Sequence, residues 1–139
     1  MEDYELISHT ADIGIRVRAK DLKALFLNAA RAMFDVVAET KTIPQNARKE
    51  KFEVLITATG KEELFVRWLS ELISLADARG VHFTEFDIKN FTENALSAGV
   101  SGFPQRYFEG KREIKAVTYH ALKIEKTGRQ YKAEIIFDV

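Results

Sequence analysis

Ile13, Ile15 and Val17 alternate with Gly14, Arg16 and Arg18, the two-residue period of a strand with one face in a core and the other in water. Asp12 falls on the polar side of that alternation. After Asp21, whose short acidic side chain suits an N-cap, Leu22, Leu25, Phe26, Ala29, Met33 and Val37 recur at helical spacing and predict an amphipathic helix over residues 21–38. A loop over 39–48, with Pro44 inside it, separates this helix from a second alternation at Phe52, Val54, Ile56 and Ala58. Thr59 and Glu62 have the spacing of a capping box, and the apolar stripe from Leu64 to Ala76, with Trp68 on it, ends before Gly80. That pattern predicts a second helix over 60–79.

Val81 and Phe83 share one parity while Phe86 and Ile88 share the other, so a strand with a bulge near Thr84 or Glu85 is expected, paired in a hairpin with Leu96, Ala98 and Val100. Residues 102–113 have no clean period and read as an exposed loop. Leu122 and Ile124 on one side of Thr127-Gly128 match Tyr131 and Ala133 on the other, which predicts a two-residue hairpin loop at Thr127-Gly128. In that register Lys126 pairs with Arg129 and Val117 with Asp138, and Lys115 stands diagonal to Asp138 on one sheet face. Lys123, Glu125, Lys132 and Glu134 then share the polar face. The element order predicts a single α+β domain over residues 1–139, two amphipathic helices packed on one face of a mixed, mostly antiparallel β-sheet.

Composition narrows the function more than the fold. The chain has 139 residues, 46% hydrophobic and 30% charged, and no apolar run reaches the ~18 residues that would suggest a bilayer span. Lys plus Arg (21) balance Asp plus Glu (21), so no overall field concentrates a phosphate backbone and autonomous tight binding to nucleic acid is not expected. The absence of cysteine removes disulfides, thiolate zinc sites and cysteine nucleophiles. The acidic start Met1-Glu2-Asp3-Tyr4 lacks the apolar segment of a secretory signal, so a cytoplasmic protein is expected. Nucleotide-binding and hydrolase signatures are missing. Gly99-Val100-Ser101-Gly102 has no helix after it and reads as a strand end or turn rather than a phosphate cradle.

The candidate chemistry is divided between the two ends of the chain. His9-Thr10-Ala11-Asp12 precedes the first alternating strand, and Asp138 and Val139 close the last. If those strands are neighbours, Asp12, Asp138 and an oxygen of Val139 form an all-oxygen cluster suited to calcium or magnesium; without a cation the carboxylates repel each other. Taken singly, Asp12 is equally a turn or cap residue and Asp138 a solvated one. His9, His82 and His120 have no metal-type spacing and read as packing or surface residues. Arg106, Lys111 and Arg112 with Tyr107 and Phe108 form a small basic and aromatic group better suited to a solvated or protein-contacting surface than to nucleic acid.

Three segments carry a resemblance that runs the length of the chain. His9-Thr10-Ala11-Asp12, Ile114-Lys115-Ala116-Val117-Thr118-Tyr119-His120 and Ile136-Phe137-Asp138-Val139 resemble the hallmark motifs of the archease family, with no departure at the motif positions. The resemblance implies a protein cofactor of the RtcB-type tRNA-splicing RNA ligase and not an enzyme. Such a cofactor promotes guanylylation of the ligase's active-site histidine, permits multiple turnover and broadens nucleotide use, and it reaches RNA only through the ligase. The resemblance also implies a metal site at Asp12, Asp138 and Val139, usually holding calcium, and a supporting role for Lys115. Two other readings remain: a stand-alone metal-dependent phosphohydrolase using the two aspartates, and a chaperone-like binding module.

Overall fold

The computed structural model describes residues 3–8 and 12–139. Its elements run β1 (Tyr4–Ser8), β2 (Asp12–Ala19), α1 (Leu22–Val37), β3 (Ala38–Thr40), β4 (Glu50–Thr57), α2 (Lys61–Arg79), β5 (Val81–Phe91), β6 (Ala95–Pro104), a short 3-10 turn (Gln105–Tyr107), β7 (Phe108–Gly110), β8 (Ala116–Thr127) and β9 (Gln130–Asp138). The α+β class is as expected. The strands, however, divide into a four-stranded sheet β1-β2-β9-β8, a three-stranded sheet β4-β6-β5 and the pair β3-β7. Every pairing among them is antiparallel.

Both helices begin and end where local chemistry dictates. The Asp21 carboxylate accepts from the Ala24 N–H at 2.8 Å, satisfying one of the otherwise unpaired donors of the first turn. At α2 the expected Thr59–Glu62 capping box is replaced by a neighbouring one. Gly60 is the N-cap and supplies no side chain, while Glu63 reaches back to the Thr59 N–H at 3.1 Å and its hydroxyl at 3.3 Å. Gly80 ends α2 in the left-handed region at φ 64°, where a residue without Cβ has no steric penalty.

α1 packs on β2 and β5, and α2 on β8, β4 and β5, so each helix touches both larger sheets and the core is one contiguous cluster. Phe26 sits edge-to-face with Phe65 at 5.1 Å and Phe91 at 4.9 Å, the arrangement that places ring edges on negative ring faces. Trp68 is fully buried, as its place on the helix stripe predicts, and its indole N–H donates to the Phe26 carbonyl at 3.0 Å. That bond removes the cost of burying an indole donor.

Four expectations change. β1 is too short to show a period and is not anticipated. The loop over 39–48 begins later, because Glu39 and Thr40 belong to β3. The stretch 102–113 is only partly a loop, because Phe108–Gly110 pair with Ala38–Thr40 and Phe108 is buried. In the last hairpin the turn is Gly128-Arg129, with Gly128 at φ 62°, so Thr127 pairs with Gln130 and Ile124 with Ala133. From the turn to Lys123 this register is two residues from the expected one, an even shift, so those side chains keep their faces; at Ala116–Thr118 it is one residue off, and the faces exchange.

The expected bulge in β5 is present between Phe83 and Glu85. Gly99-Val100-Ser101-Gly102 lies inside β6, as a strand and not a phosphate cradle. Gly102 is required there, because a Cβ on it would come within 1.9 Å of the His82 carbonyl oxygen.

Candidate metal site

β2 and β9 are antiparallel neighbours, so the start of one lies beside the end of the other. Asp12 and Asp138 are direct partners across that ladder. Facing residues in such a pair hold their Cβ atoms about 5 Å apart on one face, close enough for both carboxylates to reach one cation with the ~2.4 Å ligand distances of calcium. Asp12 is half-buried and Asp138 exposed. Neither carboxylate has a hydrogen-bond or ion-pair partner among the described residues. Val139 follows β9, half-buried and packed against the core, which anchors its main chain beside the pair.

The rows of this outer face show why no cation among the described residues neutralises the pair. Glu5, Arg16 and Glu134 stand side by side across β1, β2 and β9. The Arg16 guanidinium donates to Glu5 at 2.7 Å and to Glu134 at 3.3 Å. Its hydrogen bond holds the Glu5 carboxyl below the usual carboxylate range, with Arg18 adding to the effect. Between that charged row and the acidic one runs a row made of Ile7, Gly14, Ile136 and Thr118. Ile136 is buried although it faces outward. A Cβ on Gly14 would lie 3.0 Å from the Ile136 Cδ1 and 3.3 Å from the Ile7 Cβ, so the missing side chain is what lets these isoleucines close over the strand. The acidic pair is therefore set apart from Arg16 by an apolar step. A lone glycine inside an alternating strand signals such a close approach, but sequence alone does not say what approaches.

Lys115 lies on the other side of Asp138. Its backbone N–H donates to the Asp138 carbonyl at 2.7 Å, and its exposed side chain has no ion-pair partner among the described residues. The route to this neighbourhood differs from the expected one. Ala116, not Val117, is opposite Asp138, because four residues of β8 between Thr118 and Lys123 oppose the single residue between Ile136 and Glu134 on β9. Strand parity therefore does not assign Lys115 to the face of Asp138; the backbone hydrogen bond places it next to that residue. The same bulge brings Lys123 opposite Glu134, four positions from Asp138 on β9, or about 14 Å at strand spacing, where it pairs with Glu125 at 3.0 Å.

Two carboxylates and a main-chain oxygen are the ligand types of a hard cation. They make a partial shell: among the described residues no three His, Cys, Asp or Glu side chains converge as a metal cluster. His9 lies outside the described residues. His82 is buried and stacks on Phe108 with ring centroids 4.1 Å apart, His120 is exposed, and neither makes a hydrogen bond or ion pair with Asp12 or Asp138. No helix among the described residues is long and apolar enough to cross a membrane.

The family model for the archease protein family (MTH1598/TM1083) matches residues 4–139. The chain belongs to the archease family. Curated relatives named protein archease include one from Methanosarcina mazei, 37% identical over 98% of this chain and 95% of its own length. Another, from Sulfurisphaera tokodaii, is 35% identical over the full length of both chains. The solution structure of protein 1598 from Methanobacterium thermoautotrophicum superposes with a TM-score of 0.79 at 31% identity over all of both chains. The crystal structure of an archease from Thermotoga maritima, described as a possible chaperone, gives 0.69 at 27% identity over 97% of this chain and 96% of its own. The fold of this archease is therefore that of solved archeases.

Proposed function

We propose that this archease is a protein cofactor of an RtcB-type tRNA-splicing RNA ligase and has no turnover of its own. In this reading it works in the cytoplasm, meets RNA only through the ligase, promotes guanylylation of the ligase's active-site histidine, sustains multiple turnover and broadens nucleotide use. The observation that carries the reading is the direct pairing of Asp12 with Asp138, two carboxylates with no neutralising partner among the described residues at one strand end of an archease. With Val139 they would hold a divalent cation, calcium by preference, which supplies positive charge to phosphate oxygens.

The chain's own residues do the rest. Asp12 and Asp138, partners in the β2–β9 ladder, would offer two acceptors to one cation, and the main chain of Val139 a third. Two side chains leave such a shell open, so oxygens from the ligase or its nucleotide can complete it when the surfaces meet. Lys115, held beside Asp138 through its backbone, would present an ammonium without an ion-pair partner among the described residues to the charge that develops as the histidine attacks the nucleotide.

The test is guanylylation of purified ligase with and without this chain, with nucleotide hydrolysis by the chain alone measured in parallel. Stimulation of the ligase and no hydrolysis alone are expected. Hydrolysis alone, abolished by Asp12→Ala, would instead support the phosphohydrolase. The description of the Thermotoga maritima archease as a possible chaperone favours a second reading, binding of unfolded chains, to which suppression of client aggregation without any ligase would point.

A further inference from the structure

We propose that the free edge of β4 is a self-association site, where a second copy of this chain adds its own β4 antiparallel and joins the two three-stranded sheets into one continuous sheet. The acidic pair lies on the other large sheet, and nothing here rests on the ligase reading. The two larger sheets end in four edge strands, β1, β8, β4 and β5. An open edge is a row of unpaired N–H and C=O groups that accepts another strand unless it is short, bulged or covered. β1 has five residues, β5 breaks register twice, and β8 bulges between Thr118 and Lys123. Of the four, only β4 runs eight residues in one unbroken register, and it contains no proline.

The ladder itself shows which groups of β4 are free. Ala95, the partner of Thr57, bonds to Thr92 through both its N–H and its carbonyl, whereas Ala58 donates to Asn94. Thr57 therefore turns its backbone away from β6, and so do Leu55, Glu53 and Lys51 at two-residue steps. Arg67 takes the Thr57 carbonyl at 3.4 Å, which leaves Lys51, Glu53 and Leu55 as the open stretch. Their side chains stand on the solvent face of the sheet, with Leu55 76% exposed.

The charges on that stretch select a second copy as the occupant. Outward-turned residues must meet outward-turned residues, so only a few registers exist. Lys51 against Lys51, or Glu53 against Glu53, sets like charges opposite each other. A register that reaches Thr57 displaces Arg67. The register centred on Phe52 avoids both: Lys51 of each copy faces Glu53 of the other, repeated by the two-fold axis, and each facing pair exchanges two backbone hydrogen bonds. Lys51 has no hydrogen-bond or ion-pair partner among the described residues. Glu53 accepts from Lys89 through one carboxylate oxygen at 2.9 Å, and its other oxygen is open to a second cation. An unrelated strand would have to reproduce this Lys-x-Glu spacing, whereas a second copy supplies it. The overlap is short, so the dimer is weak and concentration-dependent.

The experiment is sedimentation velocity of the full chain from micromolar to millimolar concentration at low salt, with melting temperature as the check on folding. A monomer–dimer equilibrium is expected in the wild type. Lys51→Glu and Glu53→Lys, both at exposed positions, should each weaken it by about tenfold or more, and the double reversal Lys51→Glu/Glu53→Lys should restore it. Because the chain has no cysteine, Lys51→Cys and Glu53→Cys chains read the register directly: mixed, they should form disulfides with each other faster than either does with itself. The proposal is overturned by a chain that stays monomeric at millimolar concentration, by a dimer indifferent to both single reversals, by a double reversal no tighter than the single ones, or by cross-linking that does not favour the mixed pair.

Discussion

Asp12 and Asp138 occupy a ladder position that, two rows away, is filled by Arg16 and Glu134. Like charges directly opposite cost up to about 1 kcal/mol on a sheet surface, and no described residue offsets that cost here. Asp12→Asn should therefore leave the metal-free protein as stable as wild type or up to ~1 kcal/mol more so. Added calcium should raise the melting temperature of wild type and not of the variant. Equal calcium shifts in both proteins would remove Asp12 from the site. His82 gives a second prediction at this scale. Burial lowers its folded pKa to about 4, below the ordinary value of 6.5 that it has in the unfolded chain, so between those values the unfolded chain binds more protons and stability falls as pH drops. The contribution is whole above pH 6.5 and is lost towards pH 4. Between pH 7 and pH 4 wild type should lose on the order of 2 kcal/mol more than His82→Phe in urea denaturation; parallel losses would show that His82 is not held neutral.

The last hairpin shows how elements translate spacing into position. Turn chemistry at Gly128 was visible in the sequence, and the faces of the strand residues next to the turn followed from alternation, though those of Ala116–Thr118 did not. The exact register did not, because Thr127-Gly128 and Gly128-Arg129 both offer a glycine and differ by an even shift that preserves every face. The bulge in β8 was hidden for a related reason: Thr118 to Leu122 retains enough apolar and β-branched character to pass for regular strand. The consequence falls on the lysines. Lys115 is joined to Asp138 by a backbone hydrogen bond, while Lys123 is about 14 Å away along β9 and paired with Glu125. Lys115→Ala should lose most of the ligase stimulation with little change in melting temperature, and Lys123→Ala should be nearly silent in the same assay. Equal losses from both would show that surface charge, not position, matters. In the other sheet, β5 crosses Gly102 so closely that Gly102→Ala would press its methyl into the His82 and Phe83 backbone. We expect a loss of at least ~2 kcal/mol in denaturant melts; a silent substitution would show that β5 can move off β6.

Across the molecule, the fold brings β2 and β9 into one ladder, so a candidate site whose two carboxylates are separated by 125 residues of sequence is brought together by a single pairing, Asp12 with Asp138. Alternation at Ile13–Val17 and the stripes around Phe26 and Trp68 made the strands, helices and core legible, because burial sets their period. The division into three sheets was not, since strand partners depend on long-range packing that no local period encodes. The two carboxylates were legible as candidates by parity, but their isolation by Ile7, Gly14 and Ile136 needed the neighbouring strands. Under the proposed function, this acidic pair is what the archease would bring to an RtcB-type ligase. The most direct measurement is single-turnover guanylylation of the ligase with calcium present, comparing wild type, Asp12→Ala and Asp138→Ala at equal, folded concentrations. The account predicts that each substitution reduces stimulation to the level of ligase alone while the fold persists. Stimulation undiminished in either variant would contradict it.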